Sequence, residues 1–380
     1  MKRMCFFSLL FLFLFPIYGF ALDYIPNGES GILIEAGSGK IIFEKDKDKQ
    51  LSVASMTKMV AQIIIMEEIE KGSIHWDDVV IISHNASSMG GSQIYLEEGE
   101  KITVRDLMKG ISVASGNDAT VAMAEYISGS EEKFVERMNQ VVKTLGLKNT
   151  HFVNSTGLDE DNHYSSSYDM AMIARELVLH HPGVLEFSSI YEDYLRENTD
   201  HKFWLVNTNK LIHFYDGADG LKTGHTDNAG YCLAATAKRG SLRLIAIVLG
   251  EKDSKVRNRE TINLLDYGFQ SVQMNCLMKK DHVVDSLKMD MANKDEVDIL
   301  LKNDLCVVEE KGKKEDYQYN IVLNQNKFPI QKGDVVGRIE VILNDKVINQ
   351  EELTVREPLK KKTLLKFYVQ NLFNFISGIL

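Results

Sequence analysis

The sequence predicts an α+β protein in two folded parts, the first mixing strands with helices and the second small and β-rich. Three observations carry this. Strand pairs are signalled at residues 31–44 and again at 231–250. Between them, apolar residues recur largely at helical spacing. After about residue 271 the apolar residues alternate with period two and are cut by charged turns.

In chain order, Lys2 and Arg3 precede the apolar run "FFSLLFLFLF", then Pro16 and the small-residue site Gly19-Phe20-Ala21. The run is short for a membrane span, which needs about 20 residues. Residues 1–21 therefore read as a signal peptide cleaved after Ala21, and the mature chain as exported. "GILIEAGSGKIIFE" is a hairpin about a Gly-Ser-Gly turn. From Ser55 the spacing in "SMTKMVAQIIIMEEIEKG" is helical, with Lys71-Gly72 closing it. Ser130 opens a helix carrying Phe134, Val135, Met138, Val141, Val142 and Leu145 on one stripe. Tyr231–Ala237 and Leu242–Gly250 pair around "KRGS", and a helix follows in "NRETINLLDYGF". "DEVDILL", "YQYNIVL" and "KGDVVGRIEVILNDKVI" are the strands of a β-rich domain spanning 271–357, behind a first domain of 22–270. The last segment, 358–380, places Lys362, Lys366, Gln370, Asn374 and Ser377 on one helical face. Leu365, Tyr368, Val369, Leu372, Phe373, Ile376, Ile379 and Leu380 lie mostly opposite. A basic amphipathic helix lying on a membrane surface fits this pattern, and a helix packed on the β-rich domain is the alternative.

Composition narrows the function classes. The chain has 380 residues, 44% hydrophobic and 26% charged, ordinary for a protein that buries a core. Its formal net charge of −10 argues against a nucleic-acid partner. Without the signal it keeps Cys232, Cys276 and Cys306, too few for a disulfide framework, with a Cys276–Cys306 bridge left open. No C-x-x-C or H-x-x-x-H spacing points to a metal site, and no cofactor is expected.

Three short polar motifs carry the chemistry. Ser55-Met56-Thr57-Lys58 sets a hydroxyl and an amine three residues apart, on one face of a helix. A serine needs a base to become nucleophilic, and a lysine becomes one when burial or a nearby cation lowers its pKa. Ser130-Glu131-Glu132-Lys133 has the same form, but there Ser130 reads as a helix cap and Lys133 as solvated. Ser115-Gly116-Asn117 is also readable as a cap, as is Ser83-His84-Asn85, and Lys222-Thr223-Gly224 as an exposed turn. Taken together and in this order, the three match the S-x-x-K, S-D-N and K-T-G set of class A β-lactamases and penicillin-binding proteins. Ser55 then attacks a carbonyl, Lys58 takes its proton and Ser115 relays one to the leaving nitrogen. Asn117 holds substrate amides. Lys222 supplies positive charge, Thr223 binds a carboxylate, and Gly224 allows close approach of substrate backbone.

Beyond the triads, "SVASMTKM", "ISVASGNDATVAMAEY", "LGLKNTHFVNSTGLD", "DGLKTGHTDNAGY" and "LRLIAIVLG" closely resemble low-molecular-mass penicillin-binding proteins, the D-alanyl-D-alanine carboxypeptidases. The resemblance covers nearly everything after the signal. It implies a β-lactamase/transpeptidase-like domain, with an antiparallel sheet flanked by helices plus a helical subdomain. A β-rich domain and an amphipathic anchor at 359–380 are implied behind it. It also implies a peptidoglycan stem peptide as substrate and β-lactams as covalent inhibitors. The backbone N–H groups of Ser55 and His225 are implied as the oxyanion hole, and Arg257 as a residue near the substrate carboxylate; on its own Arg257 is equally a surface partner of Glu260. Some relatives carry N-R-N where this chain has Asn207-Thr208-Asn209. Two other functions stay in view. A serine β-lactamase would need a deacylating glutamate, but no E-x-x-L-N stretch follows the second triad. A catalytically silent peptidoglycan-binding envelope protein would not need the three triads intact.

Overall fold

The structure, a computed structural model, describes residues 23–197, 199–288, 292–294, 296–324 and 328–362. The signal reading of 1–21 and most of the helix read at 358–380 fall outside them. The chain starts with the expected hairpin, β1 (Ser30–Glu35) and β2 (Ile41–Lys45). Where a helix is expected from Ser55, a tight 3₁₀ turn, Ala54–Thr57, comes first and α1 (Lys58–Glu70) follows. A mostly helical region is then built from β3 (Val79–Ile81), α2 (His84–Ser87), β4 (Lys101–Thr103), α3 (Val104–Lys109), α4 (Asn117–Ser128), α5 (Glu131–Thr144) and α6 (Ser167–His180). Ser83 and Ser130 are N-caps, accepting the backbone N–H of Ala86 and of Lys133. Both look-alike triads are thus helix starts.

The chain returns through α7 (Leu185–Ser188), a small hairpin of β5 (Glu192–Leu195) and β6 (Phe203–Val206), and α8 (Leu211–Phe214). Then come β7 (Ala218–Thr226), β8 (Gly230–Arg239) and β9 (Leu242–Glu251), and α9 (Ser254–Ser271). β7 is a full strand carrying Lys222-Thr223-Gly224. The main sheet is antiparallel in the order β2-β1-β9-β8-β7, so β7 is an edge strand. The period-two pattern divides its side chains between two cores. Ile32, Ile34, Ile245 and Ile247 pack with α1, α4 and α6, while Leu33, Leu244, Ala246 and Val248 pack with Leu264 and Leu265 of α9. The sheet is therefore covered by helices on both faces, as the resemblance implied.

The β-rich part has more strands than its alternating pattern reveals: β10 (Val272–Met278), β11 (Val283–Leu287), β12 (Val297–Leu301), β13 (Leu305–Glu310), β14 (Gln318–Leu323), β15 (Val335–Leu343) and β16 (Lys346–Val355). Five of them form a sheet in the order β11-β12-β16-β15-β14, and β10 pairs with β13. Cys276 and Cys306 face each other across the β10–β13 ribbon and are disulfide-bonded. Val272 and Val308 of this ribbon belong to the core under α9, and Lys40 Nζ donates to Val308 O at 3.0 Å. The two parts therefore share packing. Leu359, assigned to the terminal anchor by sequence, bridges Ile330 and is buried in the β-rich core, so that part extends past residue 357.

Candidate active site

The three triads come together where the 3₁₀ turn, the start of α4 and the β7 edge meet. Lys58 opens α1 with its side chain fully buried. Its Nζ donates to Ser55 Oγ at 2.8 Å, to Asn117 Oδ1 at 2.6 Å and to the Thr156 carbonyl at 2.7 Å. Burial, and after it the nearby Lys222 cation, hold the Lys58 amine well below its ordinary value, against a smaller opposing pull from Asp118. An amine driven towards its neutral form beside a hydroxyl is the arrangement of an activated serine. All three hydrogen bonds end on acceptors, so a proton placed on Nζ is already solvated by the protein.

Ser55 sits half-buried in a turn that begins with Ala54 at φ +47. Two glycines hold the turn. Gly224 on β7 lies so close that a Cβ would stand 2.5 Å from Val53 O and 3.3 Å from Ser55 N. The sequence assigned Gly224 to close approach of substrate; the chain's own turn requires a glycine there as well. From the other side, Gly157 has φ +84, and a Cβ there would meet Ala54 O at 1.9 Å.

Ser115 is not the N-cap of α4, a place taken by Gly116. It follows a π turn, Gly110–Ala114, and adopts the left-handed conformation, φ 64 and ψ 30. Left-handed serines are uncommon, and π turns concentrate at functional sites. Its Oγ is buried and makes no hydrogen bond among the described residues. Asn117 starts α4, its amide accepting from Lys58 and donating to Gly90 O at 2.7 Å. Asn117 therefore joins Lys58 to the 90–96 loop, in addition to the amide-holding role expected of it.

On β7, Lys222 is buried with its Nζ donating to the Thr223 carbonyl at 2.9 Å. Burial, then the Arg257 guanidinium, lowers its pKa to about 7. Thr223 Oγ1 donates to Thr208 Oγ1 at 2.7 Å. Arg257 is 5% exposed in the first turn of α9, hydrogen-bonded to Asn258 Oδ1 and the Cys232 carbonyl. It is neither at the surface nor paired with Glu260, which instead accepts from Asn27. The His225 imidazole is exposed and lies tilted against its cross-strand neighbour Tyr231, with ring centroids 4.0 Å apart.

Sequence reasoning missed four participants. Thr156 acts through its carbonyl on Lys58. Thr208 bonds Thr223, and its N–H donates to Val113 O at 3.2 Å, tying the K-T-G strand to the π turn before Ser115. Asp118 accepts the N–H groups of Ile94 and Leu96 and fixes the 90–96 loop on α4. His163, buried and pushed down to about 4 chiefly by that burial, is neutral. Its Nδ1 accepts the Val153 N–H at 3.2 Å, so the ring proton is on Nε2, donating to Thr57 Oγ1 at 2.8 Å. "STGLD" was a visible signal for the Thr156 loop; a lone Thr, Asp or His gave none.

Comparisons with known proteins agree with this geometry. Residues 26–253 match the D-alanyl-D-alanine carboxypeptidase family, and residues 273–361 match the C-terminal domain of penicillin-binding protein 5. The chain is 45% identical over 343 residues to D-alanyl-D-alanine carboxypeptidase DacF of Bacillus subtilis, covering 90% of this chain and 88% of that one. It is similar to the crystal structure of penicillin-binding protein 5 from Haemophilus influenzae, with TM-score 0.72 and 32% identity over 88% of this chain and 98% of that one. Penicillin-binding protein D2 of Listeria monocytogenes in its ampicillin-bound form matches at TM-score 0.58 and 30% identity, over 64% of this chain and 97% of that one.

Proposed function

Because the chain belongs to the D-alanyl-D-alanine carboxypeptidase family, we propose that it removes the terminal D-alanine from peptidoglycan stem pentapeptides through an acyl-enzyme on Ser55. It is a serine hydrolase of the cell wall and a penicillin-binding protein. Lys58 takes the Ser55 proton as Oγ attacks the penultimate carbonyl. The oxyanion rests on the N–H groups of Ser55 and His225. As the C–N bond breaks, Ser115 passes a proton to the departing D-alanine nitrogen, and water then hydrolyses the ester. Asn117 orients substrate amides, while Lys222, Thr223 and Arg257 attract the terminal carboxylate. The observation that carries this is the buried Lys58 amine 2.8 Å from Ser55 Oγ.

The enzyme works outside the cytoplasm, on the outer face of the cytoplasmic membrane. The signal pattern at 1–21 and the Cys276–Cys306 disulfide support an oxidising compartment. Attachment to the membrane surface is carried by the basic, apolar-rich sequence of the terminal segment. Among the described residues no helix is long and apolar enough to cross a membrane.

The test is D-alanine release from a diacyl-Lys-D-Ala-D-Ala peptide alongside labelling by fluorescent penicillin. The parent protein does both, and Ser55→Ala does neither. Labelling that survives Ser55→Ala removes the nucleophile assignment. Rapid turnover of a chromogenic β-lactam by the parent moves the protein to the β-lactamases instead.

A further inference from the structure

A groove of about 580 Å³ lies between the Tyr95–Lys101 loop and the β5–β6 hairpin, lined by Tyr95, Glu97, Lys101, Arg196 and Phe203 among others. The mechanism above makes no use of it. We propose that this groove is a second substrate subsite, which binds an N-acetylated sugar ring of the glycan strand that bears the stem peptide. The proposal rests on the carboxypeptidase reading and extends the same site outwards.

Its floor is an aromatic surface held open to solvent. Tyr95 is 66% exposed, and its ring stands edge-on to Phe203 at 5.5 Å. Tyr95 has φ +55 and Arg196, facing it, has φ +53. Two non-glycine residues in the left-handed region need a surrounding structure that over-determines them, and such strain collects at binding sites. Here the determinant is Arg196. Its guanidinium donates to both Glu100 oxygens at 2.6 and 3.0 Å, to Ile94 O at 3.0 Å and to Tyr95 O at 3.2 Å. The backbone that carries this large exposed aromatic ring is thus fixed, which lowers the entropic cost of stacking the ring against a ligand.

The charge around it selects the ligand class. Glu97, Glu98 and Glu100 are matched by Lys101, Arg196 and Lys202. With no excess of either sign, the groove favours a neutral ligand with many hydroxyl and amide groups, above which Glu97 and Lys101 offer an acceptor and a donor. Its volume is that of an ordinary small-molecule pocket.

The loop that carries Tyr95 is tied to the Ser55–Lys58 pair. Asn117, bonded to Lys58, donates its N–H to Ser92 O at 2.7 Å. Asp118 pins Ile94 and Leu96 on either side of Tyr95. Three residues span at most about 10–11 Å, so Tyr95 stands that far or less from Ser92.

The experiment compares KM for D-alanine release from a free stem pentapeptide and from the same pentapeptide carried on an N-acetylmuramyl-containing disaccharide. The parent enzyme is expected to prefer the sugar-bearing form by about three- to tenfold, the value of one aromatic stacking contact. Tyr95→Ala brings the ratio close to one, and Tyr95→Phe, which keeps the ring, retains it. A parent ratio near one, or a ratio unmoved in Tyr95→Ala, overturns the proposal. Calorimetric binding of the two compounds to Ser55→Ala protein reads the same preference without turnover. Absence of D-alanine release from either compound therefore counts against the carboxypeptidase reading, while the binding ratio still decides the subsite.

Discussion

Lys58 and Lys222 are both buried and both pushed towards neutrality, yet their tasks differ. In the proposed mechanism Lys58 must be neutral to accept a proton, whereas Lys222 serves through its charge, which is one of the causes that depress Lys58. Removing that cation by Lys222→Met therefore raises the Lys58 pKa. The acid limb of the acylation rate against pH moves to higher pH, since the base is then neutral only in more alkaline solution. Stopped-flow acylation by a fluorescent penicillin between pH 5 and 9 measures it, and an unshifted limb in the variant removes Lys222 from the electrostatics of the base. Residues of this kind were legible in sequence because the chemistry demands a side-chain type at a fixed spacing. Thr156 and Thr208 were not, because a backbone carbonyl and a bridging hydroxyl can come from almost any residue that folding delivers to the spot. Gly224 was legible as a glycine, but its second cause was not, since the crowding partner, Val53 O, lies far away in sequence.

At the level of elements, the strands and helices with strong periodicity were legible, and their ends were not. The helix after β9 reads from Asn258 by pattern, yet it begins at Ser254, where the Asp253 carboxylate caps it by accepting the N–H groups of Lys255 and Val256. That earlier start places Arg257 in the first turn, against the sheet. The same junction holds an unexpected pair. Glu251, at the end of β9, is fully buried, and its carboxylate oxygens have no partner among the described residues apart from facing Glu260 of α9. Burial first, and the Glu260 carboxylate second, push Glu251 up to about 8, so the folded protein holds a proton there. The folded pKa lies above the ordinary value of 4.5. Between these two values the folded state binds the proton and the unfolded state does not, so this stabilisation is complete below about 4.5 and is lost as the pH rises to about 8. Glu251→Gln keeps a donor for Glu260 without the titration. It is expected to flatten the pH dependence of Tm and to exceed the parent in stability above pH 8 by about 1–3 kcal/mol. Thermal melts across pH 5–9 measure this, and identical slopes for the two proteins would exclude the shared proton.

For the whole molecule, the residues of the proposed active site lie in the part that ends with α9, while the β-rich part continues the packing from under α9 and reaches Leu359. The shift from helical to period-two patterning marked this division, but β11 (VVDSL) and β13 (LCVVEE) escaped notice because they do not alternate, and β10 because its alternation of Val272, Met274 and Cys276 with Gln273 and Asn275 is short. The division makes catalysis and attachment separable. If residues beyond Leu359 hold the enzyme on the membrane by a lysine-flanked apolar face, each buried apolar side chain adds to an affinity that the catalytic domain does not share. Deleting residues 363–380 spares Leu359, which is a core residue, and the bridge between Lys361 and Ala292. The truncated protein is expected to move from the membrane pellet to the soluble fraction. It should also release D-alanine from a soluble peptide at the parent rate, because no group of the site lies beyond α9. Fractionation with a parallel activity assay checks both. A truncated protein that stays in the pellet places the attachment elsewhere in the chain, and one that is released but inactive shows that the two parts are coupled more tightly than their shared core requires.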